Sequence, residues 1–260
     1  MRIAFYTPQR AVSMTGFLCE QLCDHCGGKA LRGMETPHNA GELFELAKNF
    51  EENILLSGGN DYKGRVPWER FEEAITAIKK EYGLKIAMHT GVIGRGEIER
   101  IRSLGVDQIL LDFILDDVVL KRNYHAPYTS GDIMSMLHDL MDSGVEPVPH
   151  LLFGMESIES NRREIEVPSD MGIKKAILIF LVSNKKMDAE SLRGFMRFAR
   201  GEFDGVLAIR CMRGREKPQI DLGAVELGYD RIALPTLEAR DLAIRMGYEI
   251  EERMGCCSFP

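Results

Sequence analysis

The stretch "GEIERIRSLGVDQILLDFIL", residues 96–115, passes from an amphipathic, helix-like run to an almost wholly apolar one, with Leu104-Gly105-Val106 between them. The glycine reads as a helix C-cap and the apolar run as a strand covered on both faces. The same passage recurs along the chain. Strand-like runs occur at Ala11–Gly16 ("AVSMTG"), Ile54–Gly59 ("ILLSGG"), Lys85–Gly91 ("KIAMHTG") and Asp107–Leu115 ("DQILLDFIL"). Four more follow at Val145–Gly154, Lys174–Ser183, Asp204–Met212 and Asp230–Thr236, with amphipathic segments between them. Ser143-Gly144-Val145 repeats the glycine stop, and "YEIEERM" offers a further strand near the end.

Eight strand–helix units in 260 residues predict an α/β fold of the (β/α)8 TIM-barrel type. The rival is a doubly wound open sheet, but no G-x-G-x-x-G turn follows the first strand. No Pro/Gly/Ser-rich linker divides the chain, so residues 1–260 read as a single domain. Residues 248–260 read as a C-terminal tail able to fold over the barrel mouth. The hydrophobic share of 45% suffices for one core, which must be largely aliphatic because aromatics are only 8%.

The net charge of −7, with no basic run, argues against nucleic acid or anionic lipid as partner. No apolar stretch is long enough to span a bilayer, and "MRIAFYTPQR" lacks the features of a signal peptide. The expectation is a cytoplasmic protein, where clustered cysteines point to metal or catalysis rather than to disulfides.

Three of the six cysteines fall in "CEQLCDHC" as C-x3-C-x2-C: Cys19, Cys23 and Cys26. The triplet follows a strand directly, which in a barrel places it at the C-terminal mouth. Three thiolates can hold three corners of an iron–sulfur cubane and leave one iron open, and an open metal position is a catalytic feature. The alternative is zinc, with Cys23 and Cys26 as a knuckle completed by a distant pair such as Cys256 and Cys257.

This motif resembles the signature of the radical SAM superfamily. The resemblance implies a [4Fe–4S] cluster on Cys19, Cys23 and Cys26 whose open iron binds S-adenosyl-L-methionine. Its reductive cleavage would yield a 5′-deoxyadenosyl radical that abstracts hydrogen from substrate. "LLSGGN" resembles the family's glycine-pair motif, which assigns Ser57, Gly58 and Gly59 to the methionyl end. Asn60 stands where the family often has glutamate. By the same resemblance His25 would lie against adenine, Asp112 would meet the ribose, and "HLLFG", from His150, would run beside the nucleotide. His89 and Thr90 point to the same mouth.

"VSMTGFLCEQLCDHCGGKAL" and "CMRGRE" look like stretches of the biotin synthase-like branch, and in particular of one component of a two-protein lipoyl synthase. That likeness implies sulfur insertion into an octanoyl chain on a carrier protein. It also implies a low-potential electron donor (ferredoxin or flavodoxin), a second radical SAM protein as partner, and a second iron–sulfur cluster. The remaining thiols, Cys211, Cys256 and Cys257, are the candidate ligands of that cluster, with Ser258 as a further one. Strand alternation should send Arg210 and Cys211 to opposite faces. Arg213 and Arg215 are candidates for a carboxylate or partner contact. Two other readings stay open: a different radical SAM reaction in cofactor biosynthesis, and a cluster-carrying electron-transfer subunit.

Overall fold

A computed structural model describes residues 1–155, 157–180, 188–211, 213–214 and 216–260. Among them, ten strands are β1 (Arg2–Thr7), β2 (Val12–Ser13), β3 (Asn53–Ser57), β4 (Lys85–His89), β5 (Gln108–Asp112), β6 (Glu146–Phe153), β7 (Lys175–Phe180), β8 (Val206–Ile209), β9 (Arg231–Ala233) and β10 (Glu249–Met254). The helices between them are α1 (Ala40–Ala47), α2 (Glu72–Tyr82), α3 (Arg95–Ser103), α4 (Asp117–Arg122), α5 (Ser130–Ser143), α6 (Ile158–Asp170), α7 (Ala189–Glu202), α8 (Lys217–Leu227) and α9 (Leu237–Arg245). The class is therefore α/β, as expected.

The elements form where local chemistry favours them. Gly105, just beyond α3, takes φ +85°, and Gly144 closes α5 at φ +84°. At the start of α5, Thr129 and Asp132 form a reciprocal capping box, the Asp132 carboxylate accepting from the Thr129 N–H at 2.8 Å. All six residues of β7 are buried, which matches a strand covered on both faces.

Contacts gather into two compact units, one of residues 9–148 and the other of residues 1–8 with 149–260. In the first, the strand order is β5-β4-β3-β2, all parallel, with Leu56 opposite Met88 and Ser13 opposite Ser57. Its core includes Val12, Leu43, Ile54, Ile75, Ile86, Ile98 and Leu137. In the second, the order is β10-β1-β9-β8-β7-β6, again parallel, around Ile3, Phe5, Leu178, Leu207, Ile232 and Ala243.

Two expectations change. All eight anticipated strands form, but β1 precedes them and pairs with both β9 and β10, so Ala11–Gly16 is not the first strand. The "RIAFYT" segment alternates two apolar faces, which is sufficient for a strand once partners exist on both sides. Second, a closed ring of eight strands is not among the pairings found between the described residues; β10 and β2 are the outer strands of their units. The end of the run expected at Lys174–Ser183 lies outside the described residues, as do Met212 and Arg215. No helix among the described residues is long and apolar enough to cross a membrane.

Candidate active site

The cysteine loop leaves β2 and is held by neighbours from three directions within its unit. Thr15 fixes its entry: the Oγ1 donates to the carbonyl of Leu18 at 3.0 Å and accepts from the Gly59 N–H at 2.7 Å. The Asn60 carbonyl accepts from the Glu20 N–H at 2.8 Å, and its side-chain amide donates to Gln21 Oε1. On the far side, the segment after α4 closes on the loop. The Asp24 N–H donates to the Asn123 carbonyl at 2.8 Å, and the Cys23 thiol donates to the Tyr124 carbonyl at 3.4 Å. His125, at φ +51°, places its ring between the Gln21 carbonyl and the Asp24 carboxylate. The loop turns after Cys23, whose carbonyl accepts from the N–H groups of Cys26 and Gly27.

The two motifs of the sequence reading thus meet, and in an unexpected way. A Cβ on Gly59 would fall 2.1 Å from the Leu18 carbonyl oxygen and 2.4 Å from Cys19 Cβ. One on Gly58 would fall 2.8 Å from Val66 Cγ1 and 3.0 Å from Thr15 Oγ1. The close approach that glycine permits here is that of the cysteine loop itself. Asn60, standing where a glutamate was the pattern, ties the same loop.

Cys23 is 8% exposed, whereas Cys19 and Cys26 are half-buried, and none of the three is in a disulfide. Burial, reinforced by the neighbouring Cys26, Asp112 and Cys19, pushes the Cys23 thiol up to about 12. Asp112, at the end of β5, therefore lies close enough to act on the thiol, as it also does on Tyr128. The Tyr128 hydroxyl is shifted upward, first by burial, and interacts with the Gln21 side chain. His25 packs against Tyr124 with ring centroids 4.8 Å apart at 45°. Thr90 is fully buried, and its carbonyl accepts from the Val66 N–H at 2.8 Å, so it serves the interior of its unit. Sequence reasoning missed Thr15, Gln21, Asn123–His125 and Tyr128, whose roles depend on a partner far along the chain.

Among the described residues no group of three or more His, Cys, Asp or Glu side chains converges as a single metal ion requires. A cubane asks for something else, because each thiolate binds its own iron and the three must be spread around the cluster. Three thiols on one short, externally braced loop suit that demand.

In the other unit, His150 is 3% exposed within β6, opposite Ile177. The remaining thiols gather here. The chain after β10 does not fray: the Gly255 N–H donates to the Thr7 carbonyl at 3.0 Å, and Cys257, Ser258 and Phe259 are buried. The Ser258 hydroxyl donates to Cys256 Sγ at 3.2 Å. The adjacent Cys257, then the Ser258 hydroxyl and N–H and the Arg210 charge, lower the Cys256 thiol to about 6. Cys257 is pushed the other way by Cys256, by burial and by Cys211. The Arg210 charge thus acts on Cys256, and Cys211 acts on Cys257. The strand β8 ends at Ile209, so its alternation no longer governs them. Arg213 is not available to a substrate. It is buried against Asp221 (Nε to Oδ1 2.9 Å) and donates to the carbonyls of Ala233 and Leu234.

No protein-family model matches the chain, and no curated protein matches it. Solved structures share its fold at low identity. HydG, the FeFe-hydrogenase maturase from Carboxydothermus hydrogenoformans, aligns with a TM-score of 0.67 at 16% identity, covering 96% of this chain and 67% of that one. Methylornithine synthase (PylB) gives 0.65 at 14%, covering 96% and 83%. TsrM from Kitasatospora setae, a radical S-adenosylmethionine methyltransferase with cobalamin and a [4Fe–4S] cluster bound, gives 0.51 at 13%, covering 68% and 37%. The HMG-CoA lyase from Brucella melitensis also aligns, at 0.58 and 10%, covering 94% and 93%. These likenesses establish the fold and leave the chemistry to the residues.

Proposed function

We propose that this chain is a radical SAM enzyme. The observation that carries the reading is the docking of the Cys19–Cys26 loop onto the Gly58–Gly59 turn. Two motifs that resemble the family separately in sequence are built onto one another through Thr15, Gly59 and Asn60. The shared fold with a radical S-adenosylmethionine methyltransferase supports it.

Cys19, Cys23 and Cys26 would hold three irons of a [4Fe–4S] cluster, leaving the fourth for S-adenosylmethionine. The bound pair supplies a 5′-deoxyadenosyl radical for hydrogen abstraction from an unactivated carbon. The chain's own residues set the conditions. The Ser57–Gly59 turn, already packed against the loop, is the segment assigned to the methionyl end, and His25 and Asp112 are the residues assigned to the nucleoside. Burial of Cys23 and Tyr124 keeps water from this side of the loop.

The reaction we favour is sulfur insertion of the lipoyl synthase type, on an octanoyl group of a carrier protein. What supports it is the gathering of Cys211, Cys256, Cys257 and Ser258, a thiol group with no part in the first loop. These residues would hold a second iron–sulfur cluster as sulfur source. Such an enzyme needs a ferredoxin or flavodoxin as reductant and, in this branch, a second radical SAM protein as partner.

The test is an anaerobic assay for 5′-deoxyadenosine with dithionite and S-adenosylmethionine on reconstituted protein, together with iron and sulfide analysis. Product from the parent and none from Cys23→Ala supports the assignment. About eight irons per chain, falling to about four when Cys211, Cys256 and Cys257 are replaced, supports the second cluster. Four irons in both would leave a radical SAM enzyme of another cofactor-forming reaction. Cluster without product would make it an electron-transfer subunit.

A further inference from the structure

One arginine governs where the C-terminal thiols stand. Arg231 begins β9, and the register sets it between Ala4 of β1 and Ala208 of β8, with Ala233 next on the same face. Phe5 faces the helices, since Arg240 of α9 lies over its ring at 5.0 Å; by alternation Ala4, Tyr6 and their partners face the other way. Three small side chains, Ala4, Ala208 and Ala233, share that face with Arg231, and residues 256–259 dock against the arginine. There the Phe259 N–H donates to the Cys256 carbonyl at 3.1 Å, closing a turn over Cys256–Phe259. Arg231 Nη1 donates to the carbonyls of Cys257, Ser258 and Phe259 at 2.9, 3.1 and 2.7 Å. The Tyr6 hydroxyl donates to the Phe259 carbonyl at 2.7 Å, and the Arg231 guanidinium lies 5.9 Å from the Tyr6 ring centre.

We propose that Arg231, with Tyr6 beside it, is the positioning residue of this thiol site: it clasps the terminal turn so that Cys256 and Cys257 stand beside Cys211. The proposal rests on the reading that these three thiols act as a group. All three bonds come from the one Nη1 nitrogen, whose two N–H groups are shared among three successive carbonyls; the planar guanidinium holds that nitrogen at a fixed angle, whereas an ammonium turns freely on its stem. Arg231 acts through the backbone, and the alanines flanking it give its stem room. The Arg231 charge also acts on the Cys257 thiol, opposing the upward push of its neighbours.

The test uses the full-length, reduced, metal-free protein under anaerobic conditions. Alkylation by iodoacetamide is read cysteine by cysteine by mass spectrometry, alongside cross-linking with a short bis-maleimide. In the parent, Cys211 cross-links to the terminal turn and Cys257 reacts slowly. In Arg231→Ala, alkylation at Cys256 and Cys257 rises about tenfold as local opening becomes easier, while Cys23 is unchanged. The cross-link to Cys211 disappears in that variant, and Arg231→Lys lies between it and the parent. Parent-like alkylation and cross-linking in Arg231→Ala would overturn the proposal. Should that variant not fold, Tyr6→Phe removes one donor only; a smaller rise confined to Cys256 and Cys257 supports the clasp, and no rise overturns it. None of these readouts needs a cluster, so a negative iron result would dismiss the second-cluster reading without touching the clasp.

Discussion

Gly59 and Cys19 are packed so closely that a Cβ on the glycine would lie 2.4 Å from that of the cysteine, while the Gly59 N–H is held by Thr15 Oγ1 at 2.7 Å. Backbone, not flexible side chain, occupies the space, since the Leu18 carbonyl is nearer still at 2.1 Å. Gly59→Ala should therefore push the cysteine loop off its seat. We expect a loss of roughly 1–3 kcal/mol in the apoprotein, typical of overpacking, together with poor iron retention after reconstitution. Gly96→Ala, at an exposed position in α3 where nothing lies within 4 Å, should instead stabilise by roughly 0.5–1 kcal/mol. Urea unfolding and iron analysis of the two variants decide the matter.

Thr15 serves both motifs with one hydroxyl, so its substitutions separate shape from hydrogen bonding. Thr15→Val keeps the shape and strands the Gly59 N–H, at a cost of about 1–3 kcal/mol. Thr15→Ser keeps the hydroxyl and should stay near the parent. In the assembled enzyme the valine variant should also raise the KM for S-adenosylmethionine. A valine variant equal to the serine variant in both stability and KM would refute the pin.

The metal-free protein should weaken at alkaline pH. Cys23 holds its proton up to about 12 when folded, above the ordinary thiol value of 9.0, because burial and neighbouring acids disfavour the thiolate. A raised folded pKa gives stability that is fully present below pH 9 and is lost as pH rises toward 12. The slope is at most about 1.4 kcal/mol per pH unit for one group, and exposure reduces it. Cys23→Ala should flatten this part of the profile in chemical unfolding between pH 8 and pH 11, roughly the window in which an unfolded thiol ionises. An unchanged slope would show that Cys23 is not its source.

Arg213 and Asp221 form a pair with both side chains fully buried, tied further to the Ala233 and Leu234 carbonyls and to the Thr236 N–H. Burial lowers the pKa of the arginine and raises that of the aspartate; their attraction opposes this first, helped at the aspartate by the Thr236 N–H. Removing one partner leaves the other charge stranded, so Arg213→Met or Asp221→Leu alone should cost about 3–5 kcal/mol. The double replacement should recover most of that, as a thermal or urea double-mutant cycle would show. Additive losses would mean that the pair is not coupled.

Much of this protein is legible before any folding. Apolar runs such as "ILL" at residues 109–111 declare strands because sheet burial on both faces leaves no polar positions, and Gly105 and Gly144 mark where helices stop because L side chains avoid φ > 0. The cysteine spacing is likewise local, and it states its chemistry by residue type alone.

What the sequence could not decide is which distant segments meet. The strand Arg2–Thr7 looks like an ordinary alternating hexamer until β9 and β10 supply partners some 230 residues later. Thr15 is one threonine among several until Gly59 arrives against it, and Arg231 gains its role only because the last turn of the chain docks against it. Periodic burial and backbone preference act over a few residues and can be read from order alone. Close approach, shared donors and the gathering of thiols are set by long-range packing, and only the tertiary structure fixes them.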